Sequence, residues 1–262
     1  MSGGIAVKFE NVSLHYRVFH ERGQSLKGTI ISKLKRSDRF EIFPALRNIS
    51  FEVKSGESVA IVGRNGSGKT TLLKLVANIF PPSAGRVIVN GKVAPLLELG
   101  AGFHPDLTGL ENIYLNASLL GLTRRQVDER LQSIIEFSEL GPFIDAPLRH
   151  YSSGMFMRLG FAVAVHVDPD VLLFDEVIAV GDQGFQKKCF EKIMEIRRRG
   201  KTMLVVSHVI DTLRHTCDRA LLLDEGRIVA FGPLDEVAQR YAAIFRSLEE
   251  ERRSLQSVET LF

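Results

Sequence analysis

The chain has 262 residues, 45% of them hydrophobic and 25% charged; this is enough apolar material for one sizeable core or two small ones, and it excludes global disorder. Its 34 Lys and Arg against 31 Asp and Glu leave a net charge of +3, so no single-sign field marks nucleic acid as the main partner. Two cysteines, Cys189 and Cys217, exclude a disulfide framework and a cysteine metal site, and they suit a reducing compartment.

In chain order, Ile5 to Tyr16 alternates and is rich in β-formers, predicting one or two strands. The segment 20–43 breaks that pattern. Leu26, Ile30, Ile31 and Leu34 recur there at helical spacing among Lys27, Lys33, Lys35, Arg36 and Arg39, predicting a short amphipathic helix with a basic face. Ile49 to Val53 and Ser58 to Val62 read as strands. A glycine-rich loop and a helix from about Lys69 to Asn78 follow, stopped by Pro81 and Pro82. From Thr108 to about Phe137 the period is helical, with Asp106 or Thr108 as cap, and Ser152 or Ser153 opens a helix running to His166. Buried strands are expected at Val171–Phe174 and Thr202–Val206, with a helix Phe185–Arg199 between them and a hairpin around Glu225-Gly226. Beyond Gly232-Pro233 one amphipathic helix and a polar tail are expected. Apolar strands alternating with helices predict an α/β core with a mainly parallel sheet.

No basic-then-apolar leader opens the sequence, so no secretory signal is expected. The longest apolar run, Phe161 to Val167, is interrupted by His166 and falls well short of the roughly 18 residues a span needs. The chain is expected not to cross a membrane by itself.

Gly63-Arg64-Asn65-Gly66-Ser67-Gly68-Lys69-Thr70 fits G-x-x-x-x-G-K-[ST] in full, between an apolar strand and a helix. Glycines let backbone N–H groups turn inward around phosphates, and the helix start adds its positive end. Lys69 is placed to reach β and γ oxygens, and the Thr70 hydroxyl to hold Mg²⁺. Val171 to Phe174 ends in Asp175 and Glu176: the first acid suits the metal, the second can align and deprotonate an attacking water. Tyr151-Ser152-Ser153-Gly154-Met155 opens a helix with small residues, an anion-binding arrangement that on its own also reads as a simple cap.

Phosphate loop, Ser-x-Gly helix start, apolar strand ending in Asp-Glu, and Ser207-His208 after the next strand follow the order of the ATP-binding cassette. Over residues 5 to 232 the chain resembles the nucleotide-binding subunit of an ABC transporter. The resemblance implies a P-loop NTPase fold: a RecA-like core with a mainly parallel sheet, an antiparallel β subdomain and an inserted α-helical subdomain. It divides the chain into 1–102 (N-terminal part of the core, with the basic insertion 20–43), 103–166 (helical signature subdomain), 167–232 (C-terminal part of the core) and 233–262 (C-terminal helix and tail). ATP and Mg²⁺ are the implied cofactors. Position by position, the resemblance assigns Gly63 through Gly68, Lys69, Thr70, Thr71 and Ser153 to nucleotide binding, Tyr16 to stacking on adenine, and Ser152 and Gly154 to the γ-phosphate. It gives Asp182 the D-loop position, Glu176 the general base and His208 the γ-phosphate sensor. Where the family has Leu-Ser-Gly-Gly-Gln this chain has Met155 last, which loses the glutamine contact. No glutamine occurs between Ser83 and Gln126 to serve as the Q-loop residue, and Glu98 is the nearest candidate metal ligand in its place.

Those departures resemble the polysaccharide-exporting branch of the family, which handles O-antigen, teichoic acid, capsule or galactan chains. So do Leu96 to Pro105, Glu111 to Asn116, Tyr151 to Leu159 and Asp175 to Asp182. That resemblance implies a homodimer under two copies of a transmembrane permease, peripheral on the cytoplasmic face of the inner membrane. Each ATP would lie between Lys69, Thr70 and Asp175 of one copy and Ser152 and Gly154 of the other. The complex would handle a polyprenyl-diphosphate-linked glycan, with no nucleic acid partner. The basic insertion would lie against the membrane, where each basic residue contributes about 1 kcal/mol at an anionic leaflet. Too few residues follow Gly232 for the C-terminal glycan-binding module of some branch members, so polymer selection is expected to lie elsewhere. The alternatives are an ABC ATPase for another cargo and a non-transport ABC ATPase; a single cassette without a long heptad tract disfavours the second.

Overall fold

The computed structural model describes residues 4–19, 40–97, 99–175, 181–207 and 210–244. The expected basic helix lies outside these residues, as do Glu98, Glu176 and His208. The first strands are β1 (Ile5–Phe19), β2 (Phe40–Lys54) and β3 (Ser58–Gly63), followed by α1 (Lys69–Val76), β4 (Ala84–Val89) and β5 (Val93–Leu96). The helical stretch holds α2 (Gly109–Leu119), α3 (Arg124–Asp128), α4 (Leu131–Ser138) and α5 (Ser153–His166). Then come β6 (Val171–Asp175), α6 (Gln183–Arg198), β7 (Thr202–Val206), α7 (Ile210–Thr216), β8 (Arg219–Asp224), β9 (Arg227–Pro233) and α8, helical over 234–244.

Among the described residues the strands form two sheets. One is antiparallel with order β2-β1-β4; the other has order β5-β6-β7-β3-β8-β9 and is parallel except at the β8–β9 hairpin. The middles of the parallel strands are apolar because both faces are covered. Successive residues go to opposite cores: Ala60, Val62, Leu172 and Phe174 pack with the helical stretch, whereas Val59, Ile61, Val171 and Leu173 pack with α1 and the antiparallel sheet.

Residues 40–43 correct the expected insertion. They belong to β2, with Tyr16 opposite Phe43, Arg17 opposite Ile42 and Val18 opposite Glu41. A run of aromatic and β-branched residues fits a pleated ribbon better than a loop. At the helical stretch the cap is Thr108, not Asp106. Thr108 accepts from the Glu111 amide and Glu111 returns a bond to the Thr108 amide, while Asp106 pairs with Arg149 at 2.8 Å. Of the two serines proposed to open α5, Ser152 is the cap, accepting from the Met155 amide at 3.2 Å.

Candidate functional site

The phosphate loop is shaped by where its glycines sit. Gly63, at φ +150°, leaves no room for a side chain: a Cβ would lie 2.1 Å from the Leu223 carbonyl oxygen. Gly68, at φ +105°, is the N-cap of α1, and a Cβ there would meet Leu46 Cδ2 at 2.8 Å and the Ala45 carbonyl at 2.9 Å. The loop therefore lies against β2 and β8 with backbone touching backbone, as only glycine permits. It is also held from outside. The turn of the β8–β9 hairpin donates from the Gly226 amide to the Ser67 carbonyl at 3.1 Å and accepts from the Arg47 amide at 2.8 Å.

Lys69 is buried (6% exposed), and its Nζ donates to the Gly63 and Arg64 carbonyls, each at 2.9 Å. The ammonium thus stays inside the loop, where phosphate oxygens would take the place of carbonyls. Ser67 Oγ is buried and has no hydrogen-bond partner among the described residues. The Thr70 hydroxyl donates to Asp175 Oδ2 at 2.6 Å, joining the start of α1 to the carboxyl end of β6. Hydroxyl and carboxylate oxygens side by side form a donor set for a hard cation such as Mg²⁺.

A cavity of about 530 Å³ opens over this loop, lined by Asn65, Gly66, Gly68, Lys69, Thr70, Thr71 and Asp175 at one end and Tyr16, Phe43 and Ala45 at the other. Tyr16 is pinned on two sides: its hydroxyl lies 3.4 Å from Thr71 Oγ1, and its ring stands edge-on to Phe80 with centroids 6.0 Å apart. Phe43 and Ala45 are site residues that sequence reasoning missed. The signal for Phe43 was its place opposite Tyr16, which appears only once the β1–β2 register is known.

Ser152, Ser153, Gly154 and Asp182 line a second cavity of about 490 Å³, together with Met155, Arg158 and Gly181. Asp182 caps α6, accepting from the Phe185 amide at 3.0 Å, and this bond holds its carboxyl below the usual carboxylate range. Arg158 of α5 ties Asp182 to Glu139 and lies 4.7 Å from the centre of the Phe185 ring. The two cavities share no lining residue. The structure thus brings together Tyr16, Lys69, Thr70, Thr71 and Asp175 in one place, and Ser152 to Gly154 with Asp182 in another. The thiols of Cys189 and Cys217 are buried and pushed up to about 12 by desolvation, which removes them from the chemistry.

A model described as ABC transporter matches residues 46–179. An O-antigen export system ATP-binding protein of Klebsiella pneumoniae is 47% identical over 240 residues, covering 90% of this chain and 96% of the relative. A teichoic acids export ATP-binding protein of Listeria monocytogenes is 41% identical over 241 residues, covering 92% and 71%. Among solved structures, a dimeric ATP-binding cassette bound to ADP and Pi aligns with a TM-score of 0.67 at 24% identity, covering 87% of this chain and 98% of that one. At that identity the likeness speaks to the fold alone.

Proposed function

The chain belongs to the ABC transporter family and is an ATP-hydrolysing subunit, and from that premise we propose that it powers export of a lipid-linked polysaccharide through a separate membrane permease. The meeting of Thr70 and Asp175 at the mouth of the phosphate loop carries the ATPase half of this reading. The cargo half is supported by the relatives named for O-antigen and teichoic acid export. Among the described residues no helix is long and apolar enough to cross a membrane, which is consistent with a peripheral subunit needing a permease.

Lys69 and the loop amides bind the β and γ phosphates, and Tyr16 positions the base. Thr70 and Asp175 would hold Mg²⁺, which when bound neutralises charge on the phosphate oxygens. Glu176, next in sequence after Asp175, takes the proton of the attacking water, and His208 contacts the γ-phosphate. Because the phosphate loop and Ser152 to Gly154 line separate cavities, closing one catalytic site calls for a second copy of the chain. ATP in the seam then favours the closed pair, and hydrolysis releases it.

Tagged Glu176→Gln protein, purified with ATP from its native membranes, is expected to bring down a polytopic permease carrying a polyprenyl-diphosphate glycan, identified by mass spectrometry. A permease with another cargo would overturn the polysaccharide reading, and ribosomes or DNA without a membrane protein would overturn transport. Separately, Asp175→Asn is expected to raise the Mg²⁺ concentration at half-maximal hydrolysis by about tenfold or more. Magnesium titration of phosphate release checks this.

A further inference from the structure

The helix that carries Ser153 and Gly154 starts with half a cap. At α2 and α3 the caps are reciprocal: Thr108 and Thr123 each accept from the amide three residues on, and the Glu111 and Gln126 side chains accept in turn from the cap amides. At α5 the hydroxyl of Ser152 accepts from the Met155 amide in the same way, but the Met155 side chain offers only a weak thioether acceptor in return. Gly154 in the first turn loosens this start further, because glycine gives up the most backbone freedom on ordering.

The residue before the cap makes up the deficit. Tyr151 donates from its hydroxyl to the Phe143 carbonyl at 2.8 Å, and its amide donates to the Leu148 carbonyl at 2.9 Å. The turn it reaches is itself tied to the start of α2. The Leu110 amide donates to the Ile144 carbonyl at 2.9 Å, and the Leu148 amide donates to the Leu107 carbonyl at 3.0 Å. Behind these, buried Asn112 donates to the His104, Leu107 and Thr108 carbonyls and accepts from the His104 amide. Tyr151 is thus fastened to a braced platform, and Ser152 is the next residue along.

Gly109 shows that the place of this hydroxyl is reserved. It is the first residue of α2, where glycine is a poor helix former, and its φ is not positive. A Cβ there would lie 2.3 Å from the Tyr151 hydroxyl oxygen and 3.0 Å from the Ile144 carbonyl oxygen. Glycine is present for space, and the phenol fills that space. Burial and the Asp145 carboxylate push the phenol above its ordinary range, so it remains a donor at neutral pH.

We propose that Tyr151 is the positioning residue of the α5 start: its bond to the Phe143 carbonyl, made in the space left by Gly109, orients Ser152 and Gly154 to meet a γ-phosphate held by a second copy of the chain. This rests on the reading of Ser152 to Gly154 as the half-site that a partner closes. Ser152 and Gly154 touch the phosphate, and Tyr151 acts through them. Because Tyr151 lines neither cavity, losing its bond should spare the phosphate loop of the same copy and weaken the closed pair.

The test compares wild type, Tyr151→Phe, Gly109→Ala and their double variant in the full chain, each with and without Glu176→Gln. Affinity for ADP reads the phosphate loop alone, since that ligand lacks the γ-phosphate. Sedimentation of the Glu176→Gln proteins in ATP reads pairing, and kcat of the proteins with Glu176 intact reads turnover. Tyr151→Phe removes one oxygen atom and is expected to weaken pairing and lower kcat about three- to tenfold, with ADP affinity unchanged. Gly109→Ala should do the same by displacing the phenol. The double variant should lose far less than the product of the two single losses, because both break one bond. Tyr151→Phe alone carries the test if Gly109→Ala fails to fold. Unchanged pairing and kcat in Tyr151→Phe would overturn the positioning role. So would an equal loss of ADP affinity, which marks a general loosening, and so would fully multiplied losses in the double variant, which mark unrelated packing defects. If Glu176→Gln protein with Tyr151 intact stays single in ATP, the two-copy reading falls, and this inference with it.

Discussion

Replacing Lys69 with alanine is expected to reduce ATP affinity sharply and to lower turnover by on the order of 10²–10³. The side chain is buried and its ammonium already sits within hydrogen-bond reach of two loop carbonyls. A phosphate chain entering the loop would meet a fixed positive charge in a poorly hydrated place, where its attraction is stronger than in water. Alanine removes that charge and leaves the Gly63 and Arg64 carbonyls without these bonds. Leaving buried groups unmatched costs about 1–3 kcal/mol each, so some loss of thermal stability is expected alongside the loss of binding. Equilibrium binding of ATP with parallel thermal melts separates the two effects. Unchanged affinity in a folded variant would remove the phosphate-loop assignment.

Glu176→Gln is expected to do the reverse, keeping ATP and losing hydrolysis. A positioned base contributes about 10²–10⁴ to rate, and glutamine keeps the shape of the side chain while giving up its proton-accepting carboxylate. Glu176 lies outside the described residues; it follows in sequence Asp175, the last residue of β6, which is bonded to Thr70 at the loop. Single-turnover measurements should show bound ATP persisting uncleaved, and dimers accumulating with it. Hydrolysis at the native rate would assign the base elsewhere.

The meeting of Lys69, Thr70 and Asp175 around one loop was legible in the sequence because phosphate and metal chemistry demands particular residue types at short spacing. The central strands were legible for a different reason. Val59 to Val62, Val171 to Phe174 and Met203 to Val206 are apolar on every residue, as strands covered on both faces must be. What escaped notice has physical causes. β4 and β5 are short, contain Gly85 and Pro95, and are covered mainly on one side. Pro95 is tolerated because β5 is an edge strand, where one row of amides needs no partner. α7 is only seven residues long, too short for its period to stand out. Phe43 depended on register, and register between β1 and β2 is set across a segment whose length the local pattern does not encode. The grip of Gly226 on the phosphate loop is a backbone contact, so no side chain announces it.

That grip ties two parts of the cavity into one gauge. The Gly226 amide holds Ser67 in the loop, and its carbonyl holds Arg47 on β2, the strand that also carries Phe43 and Ala45. The separation between Phe43 and Ala45 at one end of the cavity and the phosphate loop at the other is thus built into the folded chain before any ligand arrives. A nucleoside triphosphate then acts as a chelate: once one end lands, the other meets its seat at an effective concentration set by its own tether. Half-ligands such as a nucleoside or a monophosphate cannot span the gauge. A fixed length between the two ends thus favours a ligand that reaches both over one that reaches either alone.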